Sequence, residues 1–356
     1  MNFSQTQAKH ATRRIARTWA ICGVLLPMLL AAATGYSFTA LYILGDSLSD
    51  TGRSPAPAPS YFNGRFSNGS LWVEYLSAQL GLPYNASNNL AVSGSTTSGL
   101  ASQIAGLTPS TNLHAALFTV WSAGNDFLNN ATMGVNDAGW NTVITAAVIN
   151  LTNAVGALFA DGAREIMVAN LPDLGKTPAL SGAPGGYPGY INSKVALFNT
   201  MLAAALTNVV QRSPGLRIYP LDANSFLNRT LSSPATYGFT DTTNGALEDP
   251  KLADKSFTGP GADYVFWDSI HPTTKMHALI AALAFEGVGV QLNIARDGSS
   301  FSLMVSNLNP GLAYTIQSSP NLISWSDYQA ITASSTNATL PLSNGPGTRI
   351  YYRVRY

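Results

Sequence analysis

The sequence predicts a parallel α/β domain followed by a small all-β domain. Three apolar, β-branched runs each end abruptly in a polar loop, and helix-like stretches lie between them. After Gly287 the chain changes to short alternating segments separated by Asn, Pro and Gly turns. Strands that alternate with helices form a parallel sheet covered on both faces, and such sheets gather their sites outside the carboxyl ends of the strands.

The first 35 residues are set apart from this pattern. Lys9, Arg13, Arg14 and Arg17 precede an apolar run through ICGVLLPMLLAAA that closes on small residues, as in a secretory signal peptide cleaved near Ala33 or Gly35. The run is short for a membrane span and contains Pro27. The expectation is an exported bacterial protein, secreted or periplasmic.

Loss of the leader removes four of 19 basic residues and no acid, leaving fifteen against 18 acidic residues and a net charge of −3. No basic run remains to neutralise phosphates, which argues against nucleic acid as a partner. The single cysteine, Cys22, lies in the leader. The mature chain is therefore expected to have no disulfide, no thiolate nucleophile and no cysteine metal site.

The elements follow in order. Phe38 to Leu44 (FTALYIL) is the first strand, ending in Gly45-Asp46-Ser47; Ala116 to Trp121 (ALFTVW) ends in Ser-Ala-Gly-Asn; Glu165 to Ala169 (EIMVA) ends in Asn-Leu-Pro. Helices are predicted over Leu71 to Leu80, Trp140 to Phe159, Val195 to Val210 and Thr274 to Phe285. Strands at Phe301 to Val305, Tyr314 to Gln317 and Tyr351 to Val354 predict a small β-sandwich over 290–356, behind a first domain over 36–289.

The chemistry points to a serine nucleophile. A serine hydroxyl is a poor nucleophile at neutral pH and needs a base, a carboxylate that fixes the base, and donors for the oxyanion. Ser47 sits at a strand end beside Gly45, although Gly-Asp-Ser is also an ordinary turn tripeptide. Of the three histidines after the leader, His114 precedes a strand and His277 lies in an apolar helix. His271 follows Asp268 by three residues in WDSIHP, a spacing at which a tight turn can set the carboxylate against Nδ1; a helix N-cap by Asp268 or Thr273 is the plainer alternative. Gly94 in AVSGSTT permits close approach of a backbone N–H, and Asn125 in SAGND donates without adding charge.

In this order, GDSLSD, AVSGSTT, SAGND and DSIHPT resemble the sequence blocks of the GDSL (SGNH) hydrolase family, with FNGRFSNGSLWVEY and ANLPDLGKTP as supporting stretches. The resemblance covers about residues 38–285. It implies a flavodoxin-like three-layer α/β/α sandwich and ester hydrolysis with no metal or other cofactor. It also implies Ser47 as nucleophile and oxyanion donor, Gly94 and Asn125 as further donors, His271 as base and Asp268 as its orienting carboxylate. The expected substrate is a lipid or small acyl ester. A carbohydrate O-acetylesterase acting on acetylated glycan is the alternative, and a non-catalytic surface-binding module the least favoured. The C-terminal domain could contact glycan or cell surface through Trp325, Tyr328 and Tyr314, but core aromatics are the preferred reading.

Overall fold

The computed structural model describes residues 38–107, 113–131, 134–297, 300–306, 308, 313–320, 324–335, 337–342 and 350–355. The expected leader lies outside these residues.

The first strand, β1 (Leu41–Gly45), is fully buried. It is followed by helices α1 (Trp72–Gln79) and α2 (Leu100–Ala105), then strand β2 (Leu117–Trp121). Helices α3 (Gly124–Ala131) and α4 (Asp137–Ala160) lead to β3 (Glu165–Ala169), and the short α5 (Pro178–Ser181) and long α6 (Tyr187–Arg212) lead to β4 (Arg217–Leu221). Helix α7 (Ala223–Ser232), the short pair β5 (Asp241–Gly245) and β6 (Tyr264–Phe266), and α8 (Thr274–Val288) complete this part.

Strands β1 to β4 pair in parallel in that order. On the free edge of β1, the extended segment after Asn89 adds a further rung, with Leu90 N–H donating to Ile43 O at 2.8 Å and Val92 N–H to Gly45 O at 3.2 Å. Counting that segment, the order is 2-1-3-4-5, the doubly wound flavodoxin-like arrangement whose crevice opens where connections leave in opposite directions.

The period-2 alternation of each strand divides the core. Tyr42, Leu44, Phe118, Val120, Ile166 and Val168 pack with α2, α4 and α6. Leu41, Ile43, Leu117, Trp121, Met167 and Ala169 pack with α1, α7 and α8 on the other face. Each fully buried Leu, Ile or Phe side chain stabilises the fold by about 1.5–3 kcal/mol, so both faces are strongly specified. The long apolar helices α4 and α6 contribute their apolar stripes to this core.

Strand β4 and helices α3 and α7 were not among the expected elements. Pro220 lies inside β4, and proline argues against a strand interior because it donates no ladder hydrogen bond. The strand tolerates it because β4 is the sheet edge, where Pro220 is exposed and opposite Val168. Helix α6 also starts eight residues before the expected Val195, with Pro188 in its first turn after Gly186 in the left-handed region.

Beyond α8, strands β7 (Gln291–Asp297), β8 (Ser300–Ser306), β9 (Ala313–Ser319), β10 (Ser326–Thr332), β11 (Asn337–Leu342) and β12 (Tyr351–Arg355) form two antiparallel three-stranded sheets, ordered β11-β8-β7 and β10-β9-β12. They enclose their own core of Leu303, Val305, Leu308, Tyr314, Ile316, Ala333 and Leu340. Tyr314 is thus a core residue and no surface contact. Tyr328 packs edge-on against Tyr352 and donates to Pro341 O at 2.8 Å, while Arg353 lies over the Trp325 ring at 4.3 Å.

Candidate active site

Ser47 is delivered by the end of β1. Gly45 has φ +151°, and a Cβ there would stand 2.2 Å from Trp121 O, so the ends of β1 and β2 approach closely only because the residue is glycine. Gln103 of α2 binds both sides of the same peptide region, accepting from Gly45 N–H at 2.9 Å and donating to Gly45 O at 2.8 Å. The turn then folds on itself, with the N–H groups of Ser49 and Asp50 both donating to Asp46 O at 3.0 Å.

Two carboxylates brace this turn and its neighbours. Asp50 accepts from the N–H groups of Gly52, Arg53 and Ser54, and its Oδ2 also accepts from Ser93 N–H at 2.8 Å and Ser93 Oγ at 2.9 Å. Asp126 accepts from Thr97 N–H and Thr97 Oγ1, each at 2.8 Å. The loop between Ser93 and Thr97, which carries Gly94, is therefore pinned from both ends. Gly94 itself has φ +79°, is exposed, and would meet nothing within 4 Å if it carried a Cβ, so its glycine answers to backbone conformation and not to crowding.

Asn125 is the second residue of α3, two positions after Ala123, whose φ of +100° is a conformation that L-residues rarely adopt. Its Nδ2 donates one hydrogen to Ser95 O at 2.9 Å, which leaves the second hydrogen of the amide for another acceptor.

His271 and Asp268 sit in the turn between β6 and α8. The three-residue spacing does form the local pair: Asp268 Oδ2 is 2.7 Å from His271 Nδ1, while Oδ1 accepts from Ile270 N–H at 2.8 Å and His271 N–H at 2.7 Å. Thr273, not Asp268, caps α8. Burial pushes the Asp268 carboxyl up, but its hydrogen bonds and the charge of His271 outweigh this and hold it below the usual range. On the other side of the ring, His271 Nε2 is 2.8 Å from Ser47 Oγ, closing an Asp268–His271–Ser47 chain across 224 residues of sequence.

Ser47, Asn125 and His271 all line one pocket that runs beneath the carboxyl ends of the strands. Its walls are otherwise dominated by apolar side chains, among them Trp121, Leu171, Phe226, Phe266 and Ile280. Gly94 is not among the lining residues; it stands one residue before the carbonyl that receives the Asn125 amide.

Two features escaped sequence reasoning. Tyr61 donates through its hydroxyl to Asp268 Oδ2 at 2.8 Å, and Phe66 lies against the His271 ring with centroids 4.8 Å apart. Phe66 comes from the FNGRFSNG stretch and Tyr61 immediately precedes it; the resemblance of that stretch was legible but these contacts were not. The apolar pocket is the other, because its wall is assembled from α3, α7, α8 and the loops after β3 and β6.

A doubly wound α/β sheet with a hydrogen-bonded Ser, His and Asp at its strand ends, opening on an apolar pocket, is an architecture suited to carboxylic-ester hydrolysis. The chain belongs to the GDSL-like lipase/acylhydrolase family, whose model matches residues 41–284. It is 29% identical over 275 residues to a thermolabile hemolysin of Vibrio parahaemolyticus, covering 68% of this chain and 62% of that protein. It is 23% identical to a phosphatidylcholine-sterol acyltransferase of Aeromonas hydrophila over 74% of this chain and 95% of that one. It is 26% identical to a GDSL esterase/lipase of Arabidopsis thaliana over 73% and 85% of the two chains. Among solved structures, the acetylxylan esterase Axe2 of Geobacillus stearothermophilus aligns with a TM-score of 0.43 at 14% identity, over 71% of this chain and 94% of that one.

Proposed function

We propose that this protein is an exported serine hydrolase that cleaves esters of apolar acyl chains through an acyl-enzyme on Ser47. The observation that carries the reading is the Ser47–His271–Asp268 hydrogen-bonded chain at the mouth of an apolar pocket. In the first step Ser47 Oγ attacks the ester carbonyl while His271 Nε2 takes the hydroxyl proton. Negative charge develops on the carbonyl oxygen, met by the Ser47 and Gly94 amides and the second Nδ2 hydrogen of Asn125. The C–O bond to the alcohol then breaks, and His271 returns the proton to the leaving oxygen. Water, deprotonated in turn by His271, hydrolyses the acyl-enzyme and frees Ser47.

The pocket favours an acyl chain over acetate. An acetyl group has one methyl to bury, whereas each further methylene placed against these walls contributes about 0.8 kcal/mol. The basic and then apolar segment over 1–35 supports export, and the change from α/β to β structure after α8 supports a division into a hydrolase domain over 36–289 and a β-domain over 290–356.

The test is hydrolysis of p-nitrophenyl esters from acetate to palmitate, beside acetylated xylan, by the mature protein and its Ser47→Ala variant. The expected result is an optimum beyond acetate that Ser47→Ala lowers by roughly 10³-fold or more with the fold intact. Acetate release from xylan as the dominant activity would replace this reading with the O-acetylesterase, and an active Ser47→Ala variant would remove Ser47 from the mechanism.

A further inference from the structure

The turn bearing His271 and Asp268 is gripped from outside by a single stretch of chain. Trp267 Nε1 donates to Ser60 O at 3.0 Å, Tyr61 Oη donates to Asp268 Oδ2 at 2.8 Å, and Phe66 covers the His271 ring. Ser67 Oγ then donates to Pro272 O at 2.9 Å, and Thr274 N–H donates to Asn68 Oδ1 at 2.8 Å. Residues 60–68 thus touch 267–274 in matching order, a clasp laid along the turn. Tyr61 and Phe66 also pack on each other, with ring centroids 5.2 Å apart.

Within this clasp only Tyr61 reaches the carboxylate. Asp268 has four donors: two backbone N–H groups on Oδ1, and His271 Nδ1 and Tyr61 Oη on Oδ2. That set nearly fills the accepting capacity of a carboxylate and fixes its rotation. The phenol and the imidazole share one oxygen, so each draws on charge that the other would otherwise receive.

We propose that Tyr61 is a positioning residue for the proposed base: its hydroxyl holds Asp268 in the plane that aims His271 Nε2 at Ser47, and it draws off carboxylate charge that would otherwise make His271 more basic. The proposal rests on the reading of Ser47, His271 and Asp268 as the reacting groups. Burial and the neighbouring Asp268 charge push the Tyr61 phenol well above its ordinary value, so it remains protonated and is the donor. The other titratable groups acting on the pair are Asp46 and His277 toward His271, and Glu248 toward Asp268. None of them changes in a Tyr61→Phe variant, which loses only the hydroxyl.

The experiment is an NMR titration of the His271 ring in the full chain and in Tyr61→Phe, each with Asp268 intact and with Asp268→Asn, beside the pH profile of ester hydrolysis. With Asp268 intact, Tyr61→Phe is expected to raise the His271 midpoint by about 0.5–1 pH unit and to lower kcat by about three- to tenfold with KM little altered. In the Asp268→Asn background both effects are expected to vanish, because the path from Tyr61 to His271 runs through the carboxylate. A midpoint unmoved by Tyr61→Phe, or effects that persist unchanged with Asp268→Asn, would overturn the proposal. The NMR midpoint is read without turnover, so a protein that hydrolyses no ester would count against the proposed function, while a static midpoint would count against Tyr61 alone.

Discussion

The turn that presents Ser47 and the turn that presents His271 meet within hydrogen-bond distance, yet they are held by different means. The Ser47 turn is a continuation of the central sheet: β1 runs between β2 and the segment after Asn89, Gly45 admits the close passage of Trp121 O, and Gln103 pairs with the Gly45 backbone. The His271 turn leaves the short strand β6 at the periphery and is fixed by hydrogen bonds with residues 60–68. The Ser47 turn is therefore anchored in the central sheet, whereas the His271 turn adds to its own backbone bonds, such as Trp267 N–H to His271 O at 2.7 Å, a set of side-chain hydrogen bonds with residues 60–68. Damage to the first should cost stability, and damage to the second should cost rate.

The same contrast extends to one buried ionisable group beside each turn. Burial pushes the Asp46 carboxyl up to about 6, partly opposed by the Leu48 N–H and the charge of His271. Burial pushes His277 down to about 3, with the charge of His271 adding to the effect. His277 is fully buried, and neither ring nitrogen has a hydrogen-bond partner among the described residues. Protonation is thus favoured beside Ser47 and resisted behind His271.

The sharpest way to break the comparison is Asp268→Asn. It is expected to lower kcat by roughly 10²–10⁴-fold, through loss of the correct His271 tautomer and its countercharge, while the melting temperature moves little. A large fall in melting temperature would mean that the His271 turn is as much a structural element as the sheet. Next comes Gly45→Ala, whose methyl must displace Trp121 O at 2.2 Å in a conformation unfavourable to L-residues. It is expected to cost about 2–4 kcal/mol in urea unfolding, with activity falling alongside. A stable but inactive Gly45→Ala protein would place the Ser47 turn in the same class as the His271 turn.

The smallest expected effect separates the two buried ionisable groups by pH. His277 titrates near 6.5 when unfolded and about 3 when folded, so its contribution to stability is present above pH 6.5 and is lost as pH falls toward 3. Asp46 has the opposite sign: its folded value near 6 exceeds the unfolded 3.8, so its contribution is present below pH 3.8 and is lost as pH rises through 6. Between pH 7 and pH 5 the stability of the wild type relative to His277→Leu should fall by about 2 kcal/mol, and relative to Asp46→Asn it should rise by about 1 kcal/mol. Chemical unfolding at the two pH values checks both. Differences of the same sign would dissolve the contrast.

Much of this site was legible before any coordinates. Asp268 and His271 are three residues apart, and a turn of that length brings them together locally. Ser47, Gly94 and Asn125 each follow or flank an apolar run that reads as a strand or buried segment. The role of Tyr61 was not legible, because nothing in SYFNGRF distinguishes a tyrosine that meets a carboxylate 207 positions later from one that merely packs. The edge strand β4 was hidden by Pro220, and the leader expected over 1–35 lies outside the described residues.

The sequence by itself determined strands β1 to β3, the main helices and the chemical groups available, because period-2 and period-3.6 patterns, turn residues and near-neighbour pairs depend on interactions within a few residues. The tertiary structure alone decided which groups meet: Nε2 of His271 with Ser47, the Tyr61 hydroxyl with Asp268, and the apolar wall drawn from five separate segments. Those contacts depend on the order and register of the sheet and on how the helices seat against its two faces. Sheet order and helix seating are properties of the whole packed chain, and short stretches of sequence do not encode them.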